Sequence, residues 1–177
     1  MGQTKIPLVT KLFVGLIYQD IAIKNQAISW LQKRFGEIDF SSRDLDFNYT
    51  DYYYPELGIP LKRSFISFSR LLTEDRLSGI KIYTNKLETR LSLEGKRRVN
   101  LDPGFLSLGK VTLATTKDHN HRIYLRKGIF AEVTLFYQQD SYKPWPWTYP
   151  DYQSKDYLDI FNSIRQIYLK QTDKNAA

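Results

Sequence analysis

An unbroken apolar run near the start of the chain sets the strongest constraint on the fold. Residues 11–18 read KLFVGLIY, so a strand formed there is apolar on both of its faces apart from Lys11. A strand of this kind lies in the interior of a sheet, because neither of its faces suits water. The run therefore predicts a central strand.

Three segments have the apolar spacing of amphipathic helices. The first follows the capping residue Asp20 and ends at Gly36, the second extends from Thr73 to Gly95, and the third follows Ser154. A fourth helix is predicted over Ser107–Lys117, where Ser107 resembles an N-cap. That segment also contains β-branched residues, which favour strands: Val111, Thr112, Thr115 and Thr116.

Alternating residues predict further strands at Asp46–Tyr54, Ser64–Arg70, Arg97–Asp102 and Ile129–Tyr137. Arg122–Leu125 precedes a Lys127-Gly128 turn and predicts a hairpin with the last of these strands. Because strands and helices do not alternate strictly, the fold class is predicted as α+β. We expect a single domain over residues 1–177, with three to four helices on a mixed, mostly antiparallel sheet. Residues 1–8 and 171–177 are predicted to be frayed termini.

Composition excludes several classes of protein. No apolar run approaches the ~18–20 residues of a membrane span. The first residues lack the apolar stretch of a signal peptide, and Ile6 stands where myristoylation requires Ser or Thr. The chain has no Cys, hence no disulfides and no thiolate zinc site. The sequence therefore predicts a protein of the cytoplasm with no membrane partner.

The balance of 26 basic and 19 acidic residues gives a net charge of +7. Such a chain attracts anions in general, including nucleotides, sugar phosphates, RNA and acidic protein surfaces.

Two nucleotide-binding motifs are present only in part. Gly104–Val111 has the spacing of a phosphate-binding loop, but Val111 stands where a Ser or Thr hydroxyl would hold magnesium. Asn85–Glu88 resembles a guanine-reading motif, but Glu88 replaces its Asp and the motif lies inside a predicted helix. We therefore predict neither a working phosphate loop nor tight GTP binding.

The two histidines, His119 and His121, face the same way on an extended backbone, which is one way to begin a metal site. A third ligand would have to come from Asp118, Asp102 or Glu132. Paired histidines in polar loops are more often solvated or hydrogen-bonded. No metal site is predicted.

A constellation of polar residues on the predicted strands is more informative. Alternation places Arg98, Asn100 and Asp102 on one face of their strand. Glu132 lies on a strand that is apolar on both faces, so its carboxylate needs a partner, and the candidates are Arg98, Arg122 and His121. Two interpretations remain open: a structural ion-pair network, or a polar pocket whose acid accepts a proton or binds a ligand.

The segment from Pro144 to Tyr152 is rich in Pro, Trp and Tyr. Its rings have two possible roles: to stack on a base or sugar ring of a ligand, or to cover the core.

Six sequence blocks resemble the signature of a prokaryotic family of unknown function, DUF4416. They are YPELG at 54–58, IK with TN-x-LE at 80–88, RVNLDPG at 98–104, LATTKD with HRIYL at 113–125, GIFAEVTL at 128–135 and WTYPDY at 147–152. The resemblance covers nearly the whole chain. It implies that Asn100, Asp102, Lys117, Asp118, His121, Arg122 and Glu132 are motif residues, whereas His119 is not.

We expect an uncharacterised cytoplasmic protein that binds an anionic small molecule, a phosphorylated metabolite or a nucleotide, in a polar pocket. Whether it is an enzyme stays open, and no cofactor is indicated. The candidate catalytic residues are Glu132, His121 and Asp102. The candidate ligand-binding residues are Arg98, Asn100, Lys117, Asp118, Arg122, Trp147 and Tyr149. The alternatives are an RNA-binding module that uses the basic surface and the Trp/Tyr segment, or a protein-interaction domain whose polar motif is structural.

Overall fold

The computed structural model describes residues 2–5 and 7–176. In this part of the chain, nine strands and four α-helices form one α+β domain, as predicted. The strands are β1 (Thr10–Tyr18), β2 (Ile38–Ser41), β3 (Leu45–Asp46), β4 (Lys62–Leu72), β5 (Val99–Leu106), β6 (Lys110–Thr115), β7 (Ile123–Arg126), β8 (Ile129–Gln138) and β9 (Ser141–Pro144). The helices are α1 (Ile21–Phe35), α2 (Tyr54–Leu57), α3 (Leu77–Arg90) and α4 (Lys155–Ala176).

The strands form one antiparallel sheet in the order β2-β4-β1-β5-β6-β8-β7, with β3 beside β4 and β9 beside β8. All nine residues of β1 are buried, which confirms the predicted central strand. Leu12, Val14, Leu16 and Tyr18 of β1 belong to an apolar cluster shared with α1 and α3. On the other face, Phe13 belongs to a cluster shared with α4, and Ile17 to a small one with Phe47, Leu57 and Leu61. Helices therefore cover both faces of the sheet.

The helix signals at Asp20 and Gly36 are confirmed. The Asp20 carboxylate accepts a hydrogen bond from the Ala22 N–H at 2.7 Å, and α1 ends at Gly36, whose φ is +100°. The second helix is shorter than predicted. A 3₁₀ turn, Glu74–Arg76, occupies its expected start, and a tight turn at residues 93–96 follows its end.

Three further predicted elements differ from the structure in type or extent. Ser107–Lys117 is not a helix but a turn followed by β6, because Val111 and Thr112 pair with β5 on one side and with β8 on the other. Asp46–Tyr54 contributes only Asp46 to a strand, and residues 47–53 form a loop. The strand predicted to stop at Asp102 continues through Pro103 and Gly104.

Pro103 is compatible with the interior of β5 because its backbone nitrogen faces the strand edge that is not paired with β1. The Leu101 N–H points away from β1, and alternate residues of a strand direct their backbone groups to the same edge. The nitrogen of Pro103 therefore also points away from β1, and its missing N–H removes no bond between β1 and β5.

The C-terminal segment differs from the frayed end predicted for residues 171–177. Helix α4 continues to Ala176, and the Gln171 side chain accepts a bond from Lys11 Nζ at 2.7 Å and donates one to the Ser69 carbonyl at 2.9 Å. At the N-terminus, β1 begins at Thr10. Met1, Ile6 and Ala177 lie outside the described residues. Among the described helices, none combines the length and the apolar character that crossing a bilayer requires.

The partial phosphate-loop motif, Gly104–Val111, forms the end of β5, the hairpin turn and the start of β6. A phosphate loop directs backbone N–H groups at its ligand from the start of a helix. This segment leads from strand to strand, in agreement with the rejection of that motif.

Gly104→Ala is expected to destabilise the domain by about 1–3 kcal/mol. A Cβ at this position would lie 2.6 Å from the Thr112 carbonyl oxygen, and it would also overlap the Phe13 ring. The carbonyl belongs to the paired strand, so it moves only if the hairpin opens. Urea unfolding measures the loss. Gly109→Ala is the control, because no atom lies within 4 Å of its added Cβ, and an equal loss in both variants would contradict the steric explanation.

Candidate functional site

The sheet forks between β5 and β6. Only Gly104–Leu106 of β5 pairs with Val111–Leu113 of β6. Away from the hairpin turn, the described residues of β5 pair with β1, and β6 continues beside β8. A cavity of about 610 Å³, the fork cavity, opens at this point and is also lined by α3 and by loop residues 47–53 and 149–152. Its charged and amide-bearing lining residues are Arg63, Lys81, Asn85, Glu88, Arg97, Asn100, Asp102, Lys117, Glu132 and Asp151.

Two side chains of α3 bind the backbone of β5 that β6 leaves unpaired. Glu88 Oε1 accepts a hydrogen bond from the Leu101 N–H at 2.6 Å, and Lys81 Nζ donates to the Leu101 carbonyl at 2.9 Å. Lys81 and Glu88 are seven residues apart, so they lie on one face of the helix. They satisfy the strand edge where the sheet is open.

A buried guanidinium lies at the floor of the cavity. The Arg63 side chain is 1% exposed, and it donates to Asp102 Oδ2 at 2.9 Å and to the Tyr152 hydroxyl at 2.7 Å. Gly15 leaves the room that Arg63 occupies, since an added Cβ there would lie 2.5 Å from Nη2. Burial acts to raise the pKa of Asp102, but the charges of Arg63 and Lys81 outweigh burial and hold that pKa below its usual value.

Asn100 joins this pair to a second arginine. Its amide nitrogen donates to Asp102 Oδ2 at 2.8 Å, and its amide oxygen accepts from Arg97 Nη1 at 3.0 Å. Arg97 also contacts Glu88 at 3.4 Å. Arg98, the arginine expected on this face, instead pairs with Asp20 at 2.8 Å, outside the cavity. The strand begins at Val99, so the alternation that was used to place Arg98 does not extend to it.

Glu132 belongs to a second network on the opposite side of the fork. Its side chain is 1% exposed, and Oε2 accepts from Arg122 Nε at 2.8 Å and lies 3.2 Å from His121 Nε2. The Thr134 hydroxyl donates to Oε1 at 3.2 Å. Two of the three partners expected for this buried carboxylate, Arg122 and His121, are confirmed, and the third, Arg98, is wrong.

The fork cavity brings together five of the predicted site residues: Asn100, Asp102, Lys117, Glu132 and Tyr149. His121 and Arg122 are outside the lining and contact Glu132 from behind. Trp147 lies outside the lining too, as do Arg98 and the exposed Asp118.

Comparison with known proteins identifies one family, described as "Domain of unknown function (DUF4416)", whose profile matches residues 9–168. The chain belongs to this family. No curated protein and no solved structure matches the chain significantly. The matched segment of this DUF4416 chain contains every residue that lines the fork cavity.

The Pro/Trp segment of the DUF4416 chain supports the Glu132 network from outside. The Trp147 ring stacks on His121 with centroids 5.6 Å apart, and Trp145 stacks on Trp147 at 5.1 Å. The Tyr149 hydroxyl accepts a hydrogen bond from Arg122. Because these rings use their faces on one another, the segment acts as a cover more than as a set of free stacking surfaces.

His119 and His121 also stack on each other, with centroids 5.9 Å apart and nearly parallel rings. Within the described residues, no three His, Asp or Glu side chains form a group suited to a metal ion.

Asp151 is the site residue of this DUF4416 domain that sequence reasoning missed most clearly. It lines the cavity at 8% exposure, and among the described residues no side chain donates a hydrogen bond to its carboxylate. Burial raises the pKa of Asp151, against the lowering effects of the Arg63 charge and of hydrogen bonds from the backbone at Asp151 and Tyr152. The sequence did contain a signal for this residue: Asp151 is a single acid among prolines and tyrosines, a pattern that predicts a carboxylate in apolar surroundings.

Lys117 provides the opposite charge at the mouth of the cavity. Its ammonium group lies 4.2 Å from the centroid of the Tyr52 ring. Among the described carboxylates, none lies within ion-pair distance of Lys117. Among the described residues, the cavity thus combines a cation, Lys117, with a carboxylate, Asp151, neither of which is in an ion pair.

Proposed function

We propose that this DUF4416 domain binds a small phosphorylated metabolite or nucleotide in the fork cavity. The observation that carries the proposal is the pair of available groups, the Lys117 ammonium and the Asp151 carboxylate, on one cavity of about 610 Å³. This volume falls within the range of small-molecule sites.

Most of the other charges in the lining neutralise one another. Arg63 pairs with Asp102, and Arg97 contacts Glu88. Lys81 Nζ lies 3.8 Å from Asp102 Oδ1, so the ion pair between these two residues is weaker than that between Arg63 and Asp102. A ligand with one anionic group for Lys117, and with hydroxyl or N–H donors for Asp151, complements what remains. A phosphorylated sugar ring meets both requirements.

Tyrosine rings supply the rest of the recognition surface. Tyr49, Tyr52, Tyr53 and Tyr149 line the cavity from its two loops. Aromatic faces pack against sugar and base rings, and phenol hydroxyls add polar contacts. These contacts favour a ring-bearing ligand over a bare anion.

Acid–base chemistry, if this site performs any, fits Asp151 better than the residues predicted from sequence. A proton acceptor works best with a pKa near the working pH. The pKa of Asp102 is lowered by Arg63, which makes it a weaker base, whereas burial raises that of Asp151. Glu132 is committed to Arg122, and His121 lies behind it. We therefore propose Asp151 as the proton acceptor for a ligand hydroxyl.

RNA binding and protein interaction stay as alternative functions, and the cytoplasm stays the proposed location.

Thermal unfolding and calorimetry with ribose 5-phosphate, glucose 6-phosphate, AMP and GMP test the proposed site. At least one probe is expected to raise Tm. The Lys117→Met substitution should weaken the binding of that probe about tenfold or more, because the substitution removes a charge-assisted hydrogen bond to the anionic group. Lys170→Met, an exposed lysine on α4, is the control with the same change of charge. No effect of any probe, or equal weakening in both variants, would count against the proposal.

Asp151→Asn is expected to stabilise the domain increasingly as pH rises. The raised pKa means that the folded state favours the protonated carboxyl. The stability that the protonated Asp151 carboxyl contributes is therefore fully present below the pKa of the unfolded state and is lost as pH rises through the pKa of the folded state. Asn does not titrate, so the Asp151→Asn variant has no such loss. The Tm difference between Asp151→Asn and the unmodified protein should grow across that interval. Asp173→Asn, at an exposed carboxylate of α4, should show no such trend.

A further inference from the structure

A second cavity, of about 350 Å³, lies on another face of α3 and is lined by four arginines. We call it the arginine groove. The arginines come from four separate places in the fold: Arg34 at the end of α1, Arg70 in β4, Arg76 before α3 and Arg126 at the end of β7. The lining contains no acidic residue; its other members are Phe35, Leu72, Gly79, Ile80 and Tyr83.

Two of the four guanidinium groups are held in place by the protein. Arg126 Nε donates to the Ser78 hydroxyl at 2.8 Å, and its Nη2 donates to the Asp75 carbonyl at 3.0 Å. Arg34 lies over the Tyr83 ring, 5.7 Å from its centroid. These contacts fix the positions of two cations without neutralising them.

The other two arginines have no such contacts. Within the described residues, Arg70 and Arg76 form neither an ion pair nor a side-chain hydrogen bond. Both are exposed, and neither serves the core. Glu74, an acid close in sequence, is not part of the lining and lies 3.8 Å from Lys110.

Four like charges around one concave surface repel one another, and this repulsion is relieved when a multivalent anion binds. A guanidinium donates two parallel hydrogen bonds to phosphate oxygens, a geometry that suits phosphate better than a single ammonium does. Because the four arginines come from four separate elements, a chain of two or three linked phosphates matches them better than one phosphate does: it offers more oxygens, spread over a greater length.

We propose that the arginine groove binds an oligophosphate chain, either free or as part of a nucleoside di- or triphosphate. This site shares no lining residue with the fork cavity. Residues 76, 80 and 83 of the α3 region face the groove, and residues 81, 85 and 88 face the fork cavity, so one helix separates the two sites.

Isothermal calorimetry with sodium tripolyphosphate tests the proposal. One molecule of tripolyphosphate per chain is expected to bind. Binding should be weaker at about 300 mM NaCl than at about 50 mM NaCl, because salt screens the charges. The double variant Arg70→Met/Arg76→Met should lose affinity about tenfold or more. Within the described residues these two side chains form no ion pair and no hydrogen bond, and both are exposed, so the variant should keep the unmodified Tm.

The control is the double variant Lys33→Met/Lys170→Met, which removes the same charge from exposed positions outside the groove. It should bind tripolyphosphate as the unmodified protein does. Equal losses in both double variants would mean a diffuse attraction to the basic surface and would overturn the proposal. Absence of binding at low salt would overturn it as well.

Two further arms identify the source of the phosphates and separate the two sites. ATP and GTP should compete with tripolyphosphate if the groove accepts a nucleotide-borne chain. A single-stranded uridine oligonucleotide that binds through the groove while tripolyphosphate does not would replace the proposal with RNA binding. Lys117→Met should leave tripolyphosphate binding unchanged, so failure of the fork-cavity function would not be mistaken for failure of the groove.

Discussion

Asp102→Asn is expected to destabilise the folded domain by about 3 kcal/mol, because it leaves the Arg63 guanidinium buried without its counter-charge. Arg63 is 1% exposed and stays protonated at any ordinary pH. The Tyr152 hydroxyl and the surrounding aromatic rings carry no negative charge. Asp151 is the other carboxylate whose charge acts on Arg63, but among the described residues it forms no ion pair with the guanidinium. The lower end of the range for buried pairs applies because the Asp102 side chain is one quarter exposed.

Urea unfolding of Asp102→Asn gives the loss directly, and Asp156→Asn is the matched control. Asp156 pairs with Arg43 at 2.8 Å, but the two side chains are 55% and 72% exposed. An exposed pair contributes at most about 1 kcal/mol, so the control should lose little. Similar losses in the two variants would show that the Arg63 charge does not depend on Asp102.

The loss caused by Asp102→Asn should also depend on pH. Because the pKa of Asp102 is lowered in the folded state, its contribution is present above the unfolded pKa and disappears as pH falls through the folded pKa. The difference in unfolding free energy should therefore be full at neutral pH and shrink in acid. A difference that grows in acid would have the wrong sign.

The parts of the fold that could be predicted from sequence are those with strong local signals. The apolar run of β1 has only one suitable place, the interior of a sheet. The turn between β7 and β8 needs two residues of positive φ, and Lys127 and Gly128 have φ values of +55° and +74°. The helix prediction for residues 107–117 was wrong because the Ser107 capping signal is local, whereas the structure of this segment depends on the pairing of β6 with two other strands, which is not local.

The site could be predicted only where a charge interrupts an apolar pattern. Glu132 was recognised in this way, and so was its need for a basic partner. Arg63 was missed because the strand was predicted to begin one residue later, at Ser64. Arg63 in fact belongs to the strand and lies on the same face as the buried Phe65, two residues further on. Arg97 was missed in favour of Arg98 because the site depends on the residue at which β5 begins. A shift of one residue in a strand reverses the face of every side chain.

The fork itself could not be predicted from sequence. It depends on where β5 stops pairing with β6, and on Lys81 and Glu88, which bind the free edge at Leu101 from a helix. These contacts join residues 13 to 20 positions apart, and no local pattern specifies them. The same applies to the arginine groove, which assembles four separate elements.

Glu132→Gln is expected to have the largest effect, a loss of about 3–5 kcal/mol, because both members of its ion pair are buried. The Glu132 and Arg122 side chains are 1% and 2% exposed. Glutamine keeps the shape and one acceptor, but it leaves the Arg122 charge unneutralised. Thermal and urea unfolding measure the loss. Glu56→Gln, at a carboxylate that is 41% exposed beside Arg97, should lose about 1 kcal/mol or less.

The sequence left two interpretations of Glu132 open, a structural ion-pair network or a functional pocket. In the structure Glu132 forms the ion pair with Arg122 and also lines the fork cavity. The double variant Glu132→Gln/Arg122→Met separates the contributions, because removing both charges should restore part of the stability lost by Glu132→Gln alone. If it does, the single variant's loss comes from the unpaired Arg122. Binding of the sugar-phosphate and nucleotide probes to the folded double variant then measures what the Glu132–Arg122 pair contributes to the fork cavity. Unchanged binding would assign Glu132 to the structural network, whereas weakened binding in a folded protein would show that the ligand site depends on this pair.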